Sequence, residues 1–124
     1  MAKPGSVIGW TLDQDERAEL LKQYPPRFAK VVAHHVTLAT DAEDRDLPAP
    51  VKAAIVGRTD DGHGLEAMVV TIDGDSARPD GSMFHITWSL GEGRRARESN
   101  DVLRERGWQK LGQAIPITLT PARF

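Results

Sequence analysis

The chain has 124 residues, 40% of them hydrophobic and 27% charged, with a formal net charge of −2. That length suits one domain with a real hydrophobic core, and the near-neutral charge argues against a general nucleic-acid coat. Cysteine is absent, which excludes disulfides, a cysteine nucleophile and thiolate metal sites.

No apolar run approaches the roughly 20 residues that cross a bilayer. Met1 to Gly9 also lacks the basic-then-apolar pattern of a signal peptide. These features predict one cytoplasmic domain over residues 1–124, with no membrane association. Charge is unevenly spread, however. Residues 41–80 hold ten acidic and four basic side chains, whereas residues 81–124 hold seven basic and four acidic, with Arg94, Arg95 and Arg97 close together. A basic end of that size suits a small anionic ligand better than a long duplex.

In chain order, Val7 to Leu12 reads as a strand. Asp13 then caps a helix, with Glu16 three residues on completing a capping box. Ala18, Leu20, Leu21 and Tyr24 supply its apolar face, and Pro25-Pro26 stops it. A strand is predicted from about Val31 to Thr40, followed by an acidic, proline-containing loop over 41–50. Val51 to Thr59 and Leu65 to Ile72 form a hairpin through Asp60-Asp61-Gly62-His63-Gly64. After a turn-rich connection over 73–82, Met83 to Leu90 is a strand. Gly91 to Arg97 is a loop, Ser99 caps a short helix to Arg106, and Gly107 ends it. Ile115 to Thr120 is the last strand. About six strands and two helices predict an α+β fold, with antiparallel sheets around a central cleft and both helices outside. The roughly mirrored order of elements suggests two lobes related by a pseudo-two-fold axis.

Two of these strands carry one motif. His35-Val36-Thr37-Leu38 is matched fifty residues later by His85-Ile86-Thr87-Trp88. Strand alternation puts His35 and Thr37 on one face, and His85, Thr87 and Ser89 on one face of the other strand. Two imidazoles and two hydroxyls across a cleft supply a base, an acid and anion-holding donors. A packed strand histidine accounts for either motif alone, but no packing rule demands the repeat. His34 is expected on the opposite face from His35, and His63 in a solvated turn. The tryptophans Trp10, Trp88 and Trp108 are assigned to the core, and Tyr24 and Phe28 are the candidates for stacking a nucleobase.

The paired H-x-T-hydrophobic motifs resemble the two-histidine (2H) phosphoesterase superfamily. Tyr24-Pro25-Pro26-Arg27-Phe28 followed by His34-His35-Val36-Thr37-Leu38 is similar to the cyclic phosphodiesterase domain of tRNA ligases, and bacterial RNA-ligase-like cyclic phosphodiesterases are a second similar group. The fifty-residue spacing is short for the family and implies a trimmed linker and small lobes. The resemblance implies a small bilobal fold and hydrolysis of a cyclic phosphodiester, commonly an RNA 2′,3′-cyclic phosphate, with no metal and no cofactor. It implies His35 and His85 as catalytic acid and base, in an order left open. Thr37 and Thr87 would donate to phosphate oxygens.

Ser89, Arg94, Arg95 and Tyr24 complete the expected substrate-binding set. The substrate is then a nucleotide or RNA terminus, and no protein partner is required. Arg94, Arg95 and Arg97 read equally well as a solvated loop, and capping alone explains Ser99. A non-catalytic nucleotide- or RNA-end-binding module is the alternative. A metal site at His34, His35 and His63 matches no zinc spacing, and Asp73-Gly74-Asp75 lacks the calcium-loop pattern.

Overall fold

Among the described residues, 4–124 of a computed structural model, two helices and eight strands form an α+β fold. Residues 1–3 of the N-terminal stretch read above lie outside them. The order is β1 (Ile8–Leu12), α1 (Gln14–Gln23), β2 (Lys30–Val31), β3 (His35–Ala39), β4 (Ala53–Asp60), β5 (Leu65–Ile72), β6 (His85–Leu90), α2 (Glu98–Arg106), β7 (Gln109–Ile117) and β8 (Leu119–Arg123). A three-stranded sheet runs β3-β1-β8 and a five-stranded sheet runs β2-β6-β5-β4-β7, with every pairing antiparallel. The sheets are therefore unequal rather than two matched lobes. Neither helix is long or apolar enough to cross a membrane.

Period-two alternation builds the core between the sheets. Trp10, Leu12, Val36 and Leu119 come from the small sheet, and Ile55, Met68, Val70, Ile86 and Trp88 from the large one. Leu20 of α1 joins this cluster, so α1 closes the core instead of covering an outer face as expected. Helix α2 does lie on the outer face of the large sheet, where Val102 packs on Leu65, Ala67 and Leu90.

The run read as one strand over 31–40 is broken. Lys30–Val31 pairs with β6 in the large sheet, and His35–Ala39 pairs with β1 in the small one. Between them Ala33 is fully buried at φ 42°, a left-handed conformation costing a non-glycine residue about 1–2 kcal/mol. Its N–H donates to the Thr87 carbonyl at 2.9 Å, and its own carbonyl accepts from Arg17 Nε at 2.9 Å. Arg17 Nη2 also reaches the Val32 carbonyl at 3.2 Å. An unbroken apolar run carries no mark of this crossing.

A second crossing was likewise read as one strand. β7 ends at Ile117 in the large sheet, and β8 begins at Leu119 in the small one. Thr118 turns the chain: its N–H donates to Glu16 Oε1 at 2.7 Å, and its carbonyl accepts from Asp13 N–H at 3.0 Å. Half of the expected capping box therefore forms, with Asp13 Oδ2 accepting from Glu16 N–H at 3.0 Å. The other half is redirected to Thr118, 102 residues away. Helix α2 departs from expectation too. Its N-cap is Arg97, and Ser99 is buried inside the first turn. Gly107 ends it at φ 70° as expected.

Gly9 of β1 lies directly against β3. A Cβ there would sit 2.0 Å from the Val36 carbonyl oxygen and 3.1 Å from Thr37 Cα. Gly9→Ala is expected to destabilise the protein by about 3 kcal/mol, the upper range of overpacking penalties, because backbone cannot rotate away. Urea unfolding checks this, and an unchanged midpoint would refute the tight β1–β3 packing.

Candidate functional site

Val36 is buried in the core, so its neighbours His35 and Thr37 point to the opposite face of the small sheet. Ile86 and Trp88 are core residues in the same way, which turns His85 and Thr87 outward from the large sheet. The crossing at residues 32–34 lays β3 alongside β6. All four motif side chains consequently line one cavity of about 370 Å³, with Arg78, Arg97, Asn100 and Phe124 among its other walls. Helix α2 is thus one wall of the cleft.

The two imidazoles differ in environment. His85 Nδ1 lies 2.9 Å from the Met83 carbonyl, which only accepts, so Nδ1 carries a proton and Nε2 is left as the second ring nitrogen. Burial lowers the His85 pKa, the Met83 carbonyl works against that, and Arg78 and Asp80 act in opposite directions. His35 is pushed down to about 4, first by burial and then by the charges of His34 and His85. Its ring centroid lies 4.4 Å from that of Phe124. His34, expected on the other face, precedes the strand proper and so escapes the alternation. Its Nδ1 is 3.1 Å from His35 Nδ1, and its ring also meets Phe124.

The threonines are unlike each other. Thr37 lines the cavity, and its hydroxyl has no protein partner among the described residues. Thr87 also lines it, but its hydroxyl donates to the Ala96 carbonyl at 3.3 Å and sits 2.9 Å from Ser99 Oγ. That pair ties β6 to the first turn of α2.

Four expected substrate contacts lie elsewhere. Ser89 is reversed by a β-bulge: Thr87 pairs with Ala67 and Ser89 with Glu66, which leaves Trp88 as an extra residue. Ser89 Oγ therefore donates to the buried Glu66 Oε1 at 2.7 Å and accepts from Phe28 N–H at 3.3 Å. Arg94 donates to Asp61 Oδ2 at 2.7 Å, the His63 carbonyl at 2.6 Å and Glu98 Oε1 at 3.2 Å, pinning the β4–β5 turn to α2. Burial would raise the Asp61 pKa, but the His63 and Leu65 amides and Arg94 hold it below the usual carboxylate value. Arg95 is exposed and outside the cavity, with its backbone N–H on Glu98 Oε2 at 2.6 Å. Tyr24 lies under the Arg58 guanidinium, 5.3 Å from ring centroid to Cζ, and its carbonyl accepts from Trp88 Nε1. Phe28 does not line the cleft either.

Sequence reasoning passed over Arg78 and Phe124. Arg78 is buried and held by a two-point pair with Asp80, Nε–Oδ1 at 3.1 Å and Nη2–Oδ2 at 2.6 Å. It sits in a turn-rich stretch without periodicity, so only the Arg-x-Asp spacing hinted at it. Asn100 has a buried Oδ1 without a hydrogen-bond partner, while its Nδ2 donates to the Arg97 carbonyl. Asp73-Gly74-Asp75 is a turn, with Asp73 Oδ1 accepting from Lys52 N–H and Asp75 Oδ1 from Ala77 N–H. No three His, Cys, Asp or Glu side chains among the described residues are grouped to hold a metal ion.

No protein-family model, no curated protein and no solved structure matches the chain.

The lowered imidazole pKa values set a pH dependence. Below pH 6.5 the unfolded histidines take up protons that folded His35 refuses until about pH 4, so the unfolded state binds more protons across that window. Stability should therefore fall as pH drops from 6.5 to about 4, with the depressed His85 pKa adding in the same direction. His35→Gln should flatten the profile of Tm against pH in that window, and a variant retaining the full slope would refute the assignment.

Proposed function

We propose that the chain is a metal-independent phosphodiesterase of the two-histidine phosphoesterase type, hydrolysing an RNA-terminal or nucleoside 2′,3′-cyclic phosphate. One observation carries this reading. Two H-x-T motifs, fifty residues apart and on different sheets, line the same cavity with Arg78 and Arg97 beside them. The small bilobal fold of that superfamily belongs to the same proposal.

The differing environments of the two rings support one division of roles. His35, the ring pushed furthest down, is neutral near pH 7 and takes a proton from the attacking water. The water oxygen bonds to phosphorus as the bond to one ribose oxygen breaks. His85 delivers a proton to that leaving oxygen: burial lowers its pKa, but the Met83 carbonyl on Nδ1 partly opposes that, and no such partner among the described residues favours protonated His35. His35 ends protonated and His85 neutral, and solvent resets both. Thr37 Oγ donates to an equatorial oxygen, while Arg78 and Arg97 offset its charge. The phosphate contacts are thus reassigned to Arg78 and Arg97 in place of Arg94 and Arg95.

Assays in EDTA on nucleoside 2′,3′-cyclic monophosphates and on an RNA ending in a cyclic phosphate test this. His35→Ala and His85→Ala should each lower kcat/KM by about a hundredfold to ten-thousandfold, the range of one acid–base group. A fully active single mutant, or activity lost to the chelator, would overturn the reading. Nucleotide binding without turnover would favour a binding module. The role assignment has its own test: kcat/KM should rise through about pH 4 as His35 loses its proton, then decline toward neutrality as His85 loses its own. An optimum above pH 8 would refute it.

A further inference from the structure

A second cavity, of about 560 Å³, opens where the end of β4 meets the C-terminal end of α2. Arg27, Arg58 and Arg106 line it, with Asp60 and Trp108. Arg27 Nε is 2.8 Å from Asp60 Oδ2, and Arg58 Nη2 is 3.3 Å from the fully buried Glu66 Oε2. Arg106 has no ion pair among the described residues, so the cavity keeps one positive charge in excess.

Trp108 belongs to neither core cluster, although the sequence reading placed it in the core. Its six-membered ring lies on Gly57, where any Cβ would come 2.0 Å from Cε3 and 2.4 Å from Cζ3. Only glycine permits that approach, and the β4 bulge between Ile55 and Gly57 adjoins it. The chain thus holds a half-buried indole at a cavity wall, outside the hydrophobic core and beside three guanidinium groups.

We propose that this cavity binds the body of a single-stranded RNA, with a base stacked on Trp108 and backbone phosphates on Arg106 and Arg27. A flat aromatic surface joined to cationic side chains is the combination that holds single strands without reading sequence. Arg97, immediately before α2, lines the histidine cleft, and Arg106, its last residue, lines this cavity. At 1.5 Å per residue they are about 13 Å apart along the helix, a distance that a strand of a few nucleotides covers. The inference rests on the preceding reading for the identity of the strand, and it narrows the substrate to an RNA end over a mononucleotide.

The test is fluorescence anisotropy of the full chain with a short labelled oligoribonucleotide ending in a 3′-hydroxyl, so that binding is read apart from turnover. Trp108→Ala should weaken binding about tenfold to a hundredfold, as loss of one stacked base does. Arg106→Ala removes an exposed side chain with no ion pair to lose. It should lower the slope of log affinity against log salt by about 0.7, the value of one phosphate contact on a single strand. Lys52→Glu, immediately before β4 and outside the cavity lining, should bind as wild type does. Unchanged affinity and slope in the two cavity variants would overturn the proposal. So would equal weakening by Lys52→Glu, or equally tight binding of an acidic peptide. If no cyclic phosphate is turned over and the cavity variants still lose RNA, the cavity stands and only the catalytic reading falls.

Discussion

The fold turns on Ala33. Its N–H is bound to Thr87 of β6, its carbonyl to Arg17 of α1, and the next carbonyl, of His34, accepts from Leu12 N–H at the end of β1. Three residues thus carry the chain from the large sheet to the small one and fix β3 beside β6. A left-handed backbone at a buried alanine costs energy, and three hydrogen bonds with a guanidinium clamp offset it. Without this crossing His35 and His85 would stand on separate surfaces. With it, two sheets that share one core on one side share a cleft on the other.

Polar groups inside the protein do comparable positioning. Glu66 is fully buried and takes hydrogen bonds from Ser89 Oγ and Arg27 N–H and an ion pair from Arg58. A buried carboxylate without such partners would be strongly destabilising, so these contacts hold the Arg27–Phe28 segment against β6. The Trp88 bulge makes the arrangement feasible by turning Ser89 away from the cleft toward Glu66. On the opposite face, Thr87 and Ser99 lock α2 beside the histidines. One strand, β6, therefore supplies a cleft residue, a core residue and a buried hydrogen bond within five positions.

Inside the cleft, burial does the electrostatic tuning. Both imidazoles are held toward their neutral forms, and each has a different neighbour on Nδ1. A carbonyl partner favours the protonated ring, whereas a second imidazole competes for the same proton. That asymmetry separates the two histidines chemically although their motifs read alike. Arg78 is fixed by its two-point pair with Asp80, which leaves its side chain little freedom.

Alternation and punctuation made much of this protein legible in its sequence. The α+β class, both helices, the β4–β5 hairpin and the outward placement of His35, Thr37, His85 and Thr87 follow from period-two patterning and from Gly and Pro positions. These are local properties, encoded within a few residues. The crossings at 32–34 and at Thr118 were hidden because apolar runs continue through them. The bulge that reverses Ser89, the diversion of Glu16 to Thr118 and the engagement of Arg94 by Asp61 depend on partners 23 to 102 residues away. No local pattern records which distant partner wins. Sequence by itself determined which side chains face away from the core; tertiary structure alone decided which of them meet, because meeting is set by how the two sheets are joined.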